Sequence, residues 1–266
     1  MKEVLDFYNL KEDPFSITPD PEYFYPTRIH EMAVESMEYL LKKGESFLLL
    51  TGFPGTGKTT VIKTFLSKVQ GVCTIPLYNP TVRPEELISY LCQKLGLGKF
   101  EGKLQGLERL REFLLESYKK GERFLLIIDE AQDMSDETLT EIKHLSNLET
   151  DKGKLLPIIL VGQPSLESRL KEPKNLQLDQ RISLRIKLLP LTKDEAHDFI
   201  LHRIRKAGNS SLLFEKGAIK LIWKASRGIP RLINLICSRA LMVGFFYNSQ
   251  RIKKKYVKIA LKHLNL

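Results

Sequence analysis

The sequence predicts an α/β base, in which strands alternate with helices around a parallel sheet, followed by an all-helical domain. Three observations carry this. Helical stretches ending in glycine are each followed by a short apolar run, a glycine-rich turn joins one such run to the next helix, and the pattern changes after Pro190.

The helical stretches end at Lys43-Gly44, Gln70-Gly71 and Lys120-Gly121, where glycine supplies a left-handed cap. The runs that follow, Phe47–Leu50, Cys73–Leu77 and Phe124–Ile128, are short enough for buried strands. Before the first of them, Met32, Val34, Met37, Leu40 and Leu41 recur at helical spacing. Two more strands are expected over Leu155–Gly162 and Ser183–Leu189, with helical material between Ser165 and Gln180. Alternation of this kind argues for a sheet covered on both faces. From Thr192 onward only amphipathic helices remain, opened by a Thr192-x-x-Glu195 capping box and continuing near Glu215–Ser226, Pro230–Phe246 and Arg251–Leu264. The division expected is therefore a base over 1–190, with 1–44 an N-terminal linker and first helix, and a helical domain over 191–266.

Composition narrows the class. The 266 residues are 42% hydrophobic and 28% charged, which excludes wholesale disorder, a collagen-like repeat and a disulfide-stapled miniprotein. No span approaches the ~18 apolar residues of a membrane helix. The N-terminus lacks the basic-then-apolar layout of a signal peptide, so a cytoplasmic location is expected. Cys73, Cys92 and Cys237 fit neither a disulfide framework nor zinc-ligand spacing and read as buried small hydrophobes. The net charge of +10 is uneven: residues 191–266 hold 16 Lys+Arg and 4 Asp+Glu, a balance of +12, which leaves −2 for the rest.

The glycine-rich turn is Gly52-Phe-Pro54-Gly55-Thr56-Gly57-Lys58-Thr59-Thr60, set between the run Ser46–Thr51 and the helix-compatible Val61–Val69. This is the setting a P-loop requires. Backbone N–H groups of such a turn and the helix N-terminus form an anion nest for phosphates. Lys58 is expected to reach the β- and γ-phosphates of a nucleotide, and the Thr59 hydroxyl to ligate Mg²⁺. Further on, Arg123-Phe-Leu-Leu-Ile-Ile-Asp129-Glu130-Ala131 ends a very apolar strand in two acids, a Walker B arrangement. Asp129 is expected to hold the magnesium through water and Glu130 to polarise the attacking water. An Asp-Glu pair capping the next helix is the plainer alternative.

Other polar residues fall at strand ends, where a parallel sheet presents its ligand crevice. Gln163, after Leu160-Val161-Gly162, is placed to hydrogen-bond the γ-phosphate or the water, and Asn79, after Thr74–Tyr78, to hold Glu130 away from it. Both residue types are also common turn formers. Arg181 and Arg185 flank the last strand, and either one can serve a neighbouring subunit as an arginine finger or form a surface salt bridge. Arg231 begins a helix, where a cation opposes the macrodipole and asks for an anionic partner such as a phosphate.

Taken in this order, the pieces resemble the AAA+ ATPases, and more narrowly the ExeA/GspA-like (general secretion pathway protein A) ATPases of type II secretion and pilus systems. The resemblance rests on Phe7-Tyr-x-Leu-x-x-x-Pro14-Phe15-Ser16 with Thr18-Pro-Asp20, on the P-loop, and on Asp129-Glu-Ala-Gln132. It rests equally on Leu148-Glu-Thr-Asp, Lys154-Leu-Leu-x-Ile-Ile-Leu-Val-Gly-Gln-Pro164, Gln180-Arg181-Ile182 with Arg185, and Gly228-x-Pro-Arg231-x-Ile-Asn234. It spans nearly the whole chain. It implies a five-stranded parallel base with a helical lid, Gln163 as sensor 1, Arg231 as sensor 2, and Arg181, or else Arg185, as the finger. It implies also that Pro14–Tyr25 runs past the adenine, that ATP is the nucleotide, and that nucleotide lies at the subunit interfaces of a homo-oligomer, in some members a ring. Secretion members often continue into a membrane helix and a peptidoglycan-binding domain, neither of which is carried over to these residues.

Two functions are weighed. One is an oligomerising ATPase serving a secretion, pilus or envelope component. The other is a DNA-binding helper of the MuB-like transposition-regulator type, for which the basic C-terminal domain, including Lys253-Lys254-Lys255 and Lys258, supplies the argument through duplex DNA. Ile252, Tyr256, Ile259 and Ala260 recur between these lysines, so some of the charge solvates a helix face. A pure nucleotide switch is disfavoured by Glu130.

Overall fold

The computed structural model describes residues 2–18, 20–151 and 153–266. Its elements in chain order begin with α1 (Lys2–Phe7), α2 (Arg28–Lys43), β1 (Phe47–Gly52), α3 (Lys58–Lys68) and β2 (Val72–Leu77). They continue with α4 (Pro84–Lys94), α5 (Lys103–Lys119), β3 (Arg123–Ile128), α6 (Asp136–Leu145), β4 (Glu149–Thr150) and β5 (Gly153–Lys154). Then come β6 (Ile158–Gly162), α7 (Pro164–Leu170), α8 (Leu176–Asp179) and β7 (Ile182–Leu188). The chain ends in α9 (Lys193–Lys206), α10 (Lys216–Ser226), α11 (Pro230–Phe246) and α12 (Lys254–His263). Two compact units form, one of Ile29–Gly52 and Phe65–Lys187, the other of Met1–Arg28, Phe53–Thr64 and Leu188–Leu266.

The first unit is built on a five-stranded parallel sheet of order β2-β3-β6-β1-β7. Interior strands β1 and β6 are buried along their whole length, and β3 from Phe124 on, as continuous apolar runs in a two-faced sheet must be. Edge strands β2 and β7 alternate instead. That alternation corrects one expectation: Cys92 and Cys237 are buried, but Cys73 is exposed, because on an edge strand every second residue faces out. β6 begins only at Ile158, since Pro157 has no N–H to give the ladder. A small antiparallel pair, β4 with β5, was not foreseen; Lys154 closes it with an ion pair to Glu149. Phe47, Leu49, Leu87, Leu91, Leu126 and Leu160 are among the residues filling the core.

Helices α9 to α12 make up most of the second unit, and the chain's first residues and the segment Phe53–Thr64 belong to it too. Tyr8 is fully buried, its hydroxyl shared between the carbonyls of Leu241 (3.3 Å) and Ser249 (3.0 Å), while Asn209 Nδ2 donates to the Tyr8 carbonyl (2.6 Å). Phe15 packs edge-on against Phe214 with ring centroids 5.9 Å apart. Burying side chains of this size contributes roughly 1.5–3 kcal/mol each. The segment around Pro14 is held by the buried Arg203, which donates to the carbonyls of Pro14 and Ser16. α9 starts with the expected box, Thr192 Oγ1 accepting from Glu195 N–H and the Glu195 carboxylate from Thr192 N–H. Gly228, at φ +74°, lies so close to Leu191 that a Cβ there would stand 2.2 Å from the Leu191 carbonyl oxygen. Leu191 N–H in turn donates to the Gly228 carbonyl at 2.8 Å. No helix among the described residues is long and apolar enough to cross a membrane.

Candidate functional site

The P-loop leaves the carboxyl end of β1 and winds into α3. Gly55 and Gly57 have φ of +81° and +103°, which turn successive N–H groups toward one side. Thr56 is fully buried, its hydroxyl donating to the Phe53 carbonyl at 2.8 Å, which pins the turn. Lys58, the first residue of α3, is 7% exposed, Thr59 is exposed and Thr60 half-buried. Within the same unit, Arg231 sits in the first turn of α11, its N–H donating to the Gly55 carbonyl at 3.2 Å. A Cβ on Gly55 would lie 2.7 Å from the Arg231 Cβ, so the close approach of α11 requires glycine there as much as the turn does. Arg231 and the P-loop, far apart in sequence, are thus in backbone contact. The Pro14–Tyr25 segment belongs to this unit, apart from Pro19 of the Thr18-Pro-Asp20 string, which lies outside the described residues.

In the sheet unit, register sets the remaining candidates along one edge. Leu77 pairs with Ile128, Ile128 with Leu160 and Thr51 with Gly162, so Asn79, Asp129, Glu130, Gln163 and Gly52 all stand at or just past the carboxyl ends of neighbouring strands. Asp129 N–H donates to the Leu77 carbonyl at 3.0 Å. Glu130 is left-handed (φ 50°, ψ 39°), a conformation that costs a non-glycine residue about 1–3 kcal/mol and is kept only where its surroundings enforce it. They do so: its N–H donates to Asp129 Oδ1 at 2.9 Å, and its carboxylate accepts from Gln132 Nε2 at 2.7 Å.

Gln132 is a residue of this edge to which sequence reasoning gave no role. While its Nε2 holds Glu130, its Oε1 accepts the Gln163 N–H at 3.0 Å, so one amide ties the second acid to Gln163. A carboxylate can only accept and a backbone N–H only donate, which fixes the amide's orientation. Asn79, expected to hold Glu130, is exposed and accepts the Thr81 N–H instead. The Asp129-Glu-Ala-Gln132 string was the one available signal for Gln132.

The loop after these acids is braced from α7. Arg169 donates to the carbonyls of Gln132 and Met134 and to the Asp136 carboxylate. Lys174 and Arg169 together, with Asn175, hold the Asp136 carboxyl down at about 2. Thr51, buried at the end of β1, donates to Glu167 of α7. Both arginines beside β7 are engaged within this chain. Arg181 donates to Lys143 O, Ser146 Oγ (2.7 Å) and Asn147 Oδ1 (2.6 Å) at the C-terminal end of α6, while Arg185 pairs with Asp179 at 3.0 Å.

Comparison with known proteins matches residues 41–170 to an AAA domain family. General secretion pathway protein A of Aeromonas hydrophila is 37% identical over 96% of this chain, which spans 47% of that relative's length. Among solved structures, Cdc6p from Pyrobaculum aerophilum superposes with a TM-score of 0.70 at 19% identity, covering 96% of this chain and 71% of that one. A Drosophila ORC structure bound to DNA gives 0.72 at 15% identity, covering 99% and 66%. At those identities the structural matches speak for the fold alone.

Proposed function

Since the chain belongs to the AAA+ ATPases, as its AAA domain and its likeness to General secretion pathway protein A show, we propose that it hydrolyses ATP with Mg²⁺. In this reading it self-associates with nucleotide at the subunit interfaces and serves a secretion, pilus or envelope-assembly system from the cytoplasmic side. The observation that carries the nucleotide reading is the P-loop: left-handed Gly55 and Gly57, Lys58 at the head of α3, and the first turn of α11 bonded to Gly55.

Residues 52–60 bind the phosphates through N–H groups and the positive end of α3, and Lys58 adds a fixed cation. Arg231 supplies a second positive charge, placed where a helix N-terminus by itself repels it and a phosphate welcomes it. The oxygen donors this reading assigns to Mg²⁺, the Thr59 hydroxyl and the Asp129 carboxylate, are of the kind that would suit a hard divalent ion keeping most of its waters. Bound there, Mg²⁺ neutralises phosphate charge. Glu130 takes the proton from the attacking water, Gln132 fixes the Glu130 carboxylate, and Gln163 donates to the γ-phosphate or the water. Arg181, released from the end of α6, completes the site of a neighbouring subunit, with Arg185 as second choice.

Steady-state turnover and nucleotide binding test the reading together. Lys58→Ala is expected to abolish binding, whereas Glu130→Gln binds ATP but turns it over at least ~10²-fold more slowly, the loss typical of removing a catalytic group. Full turnover by Glu130→Gln overturns the assignment. Mixing Glu130→Gln with Arg181→Ala subunits restores part of the rate if the arginine acts in trans, and none if it does not.

A further inference from the structure

From Lys216 to the C-terminus the sequence contains twelve Lys and Arg and not a single Asp or Glu. Six of these cations are ordered by the fold. Phe214 and Ile252 form a parallel bridge immediately before α10 and α12, with Ile252 N–H donating to Leu213 O and Glu215 N–H to Ile252 O. The residues that follow, Glu215 (φ −67°, ψ 150°) and Lys253 (φ −88°, ψ 160°), have nearly the same backbone conformation. The two helices therefore start side by side and leave in the same direction. They pack against each other and both pack against α11.

Their phases are the same as well. α10 buries Ala218, Ile219 and Ile222, and α12 buries Tyr256, Val257 and Ala260, at matching distances from the first lysine of each helix. Lys216, Lys220 and Lys224 are exposed, and so are Lys254, Lys258 and Lys262. They form two level rows on one face, the members of each row about 6 Å apart along the helix. Among the described residues no ion pair involves any cation beyond residue 215.

We propose that this lysine face docks the phosphate backbone of double-stranded nucleic acid without reading its bases. Six unpaired ammonium groups on a rigid pair of helices complement a regular polyanion. Lysine acts as a point charge rather than as the bidentate fork used for base edges, so sequence is not read. Neither helix exposes an aromatic ring between the rows for unpaired bases to stack on, which favours a duplex over a single strand. Neither exposes a large apolar side chain that would enter a bilayer, which sets anionic lipid aside. The proposal is independent of the ATPase reading, because none of the six lysines belongs to the nucleotide site.

The test is binding of the full chain to random-sequence duplex DNA, titrated with salt. With each phosphate contact contributing roughly −0.9 to the slope of log K against log salt, the chain is expected to give about −5. Lys254→Gln/Lys258→Gln/Lys262→Gln should lose about 3 of that slope, while a Lys99→Gln/Lys119→Gln/Lys120→Gln variant with the same net charge keeps it. The triple Lys→Arg replacement at 254, 258 and 262 restores binding if charge alone is at work, and equal melting curves show that the variants fold. Equal losses from both Gln triples overturn the proposal in favour of net charge. Binding only to vesicles of phosphatidylcholine with phosphatidylserine overturns it in favour of a membrane, and absence of salt-dependent binding overturns it outright.

Discussion

The acid-bearing edge of the sheet and the helices after residue 190 manage charge in opposite ways. Along the edge, side chains hold one another: Gln132 grips Glu130, Arg169 and Lys174 grip Asp136, and Thr51 grips Glu167. In the helical unit the backbone and the apolar core do the fixing, through the Leu191–Gly228 contact and the buried Tyr8, while the exposed lysines of α10 and α12 take part in no ion pair among the described residues. The difference matches the work proposed for each region. If Glu130 polarises the attacking water, as proposed, its carboxylate has to be fixed to within a fraction of an ångström, which short hydrogen bonds achieve. Charges that attract an extended polyanion act over a Debye length, so the helices that carry them must be ordered but each side chain tolerates looser placement.

The largest effect expected comes from breaking the helical unit's backbone fit. Gly228→Ala combines an unfavourable positive φ with a Cβ at 2.2 Å from the Leu191 oxygen, a clash that no side-chain rotation relieves. A loss of about 3 kcal/mol or more is expected in denaturant unfolding. An unchanged midpoint would mean that the Leu191 segment moves freely and that the contact is incidental.

On the sheet edge the equivalent break is in rate rather than stability. Gln132→Ala should slow turnover about tenfold, ~1.4 kcal/mol in the barrier, with the KM for ATP unchanged. If Gln132 works through Glu130, adding Gln132→Ala to Glu130→Gln lowers the residual rate no further, whereas a merely structural role lowers it in both backgrounds.

Much of this edge was legible in the sequence. The P-loop, the Asp129-Glu130 pair and the apolar runs are local patterns, and every strand expected is present, the interior ones because burial on two faces demands uninterrupted apolar residues. What escaped depended on contacts between distant residues. The docking of Tyr8 on Leu241 and Ser249 has no periodicity to betray it. Gln132 replaces Asn79 as the partner of Glu130 because of a left-handed residue, and glutamate has no propensity that announces one. Exposure of Cys73 follows from the place of β2 at the sheet edge, which strand order decides and hydrophobicity does not.

The bracing around Asp136 gives a smaller, pH-dependent effect. Its carboxyl is held at about 2 by Lys174 and Arg169, below its ordinary 3.8, so its contribution to stability is complete above pH ~4 and lost as pH falls toward 2. Asp136→Asn should therefore be less stable than the parent by about 1 kcal/mol at neutral pH, a figure discounted for partial exposure. The gap should close between pH 4 and 2. A gap that persists at pH 2 would show that the substitution acts by something other than charge.

The smallest effect sharpens the comparison most. Lys220 lies four residues from both Lys216 and Lys224, and like charges at that spacing destabilise a helix by roughly 0.2–0.5 kcal/mol per pair. Lys220→Gln removes both repulsions, so the variant should be more stable than the parent by roughly 0.5 kcal/mol at low salt, and by nothing measurable at high salt where exposed charges are screened. Paired thermal melts at the two salt concentrations read this directly. A stabilised variant that has lost DNA affinity would mean that the lysine row is kept at the expense of folding free energy, the trade expected of a binding surface. If Lys220→Gln destabilises the chain instead, the lysine stem is packing against its helix, and the contrast between a paired edge and an unpaired face fails at that position.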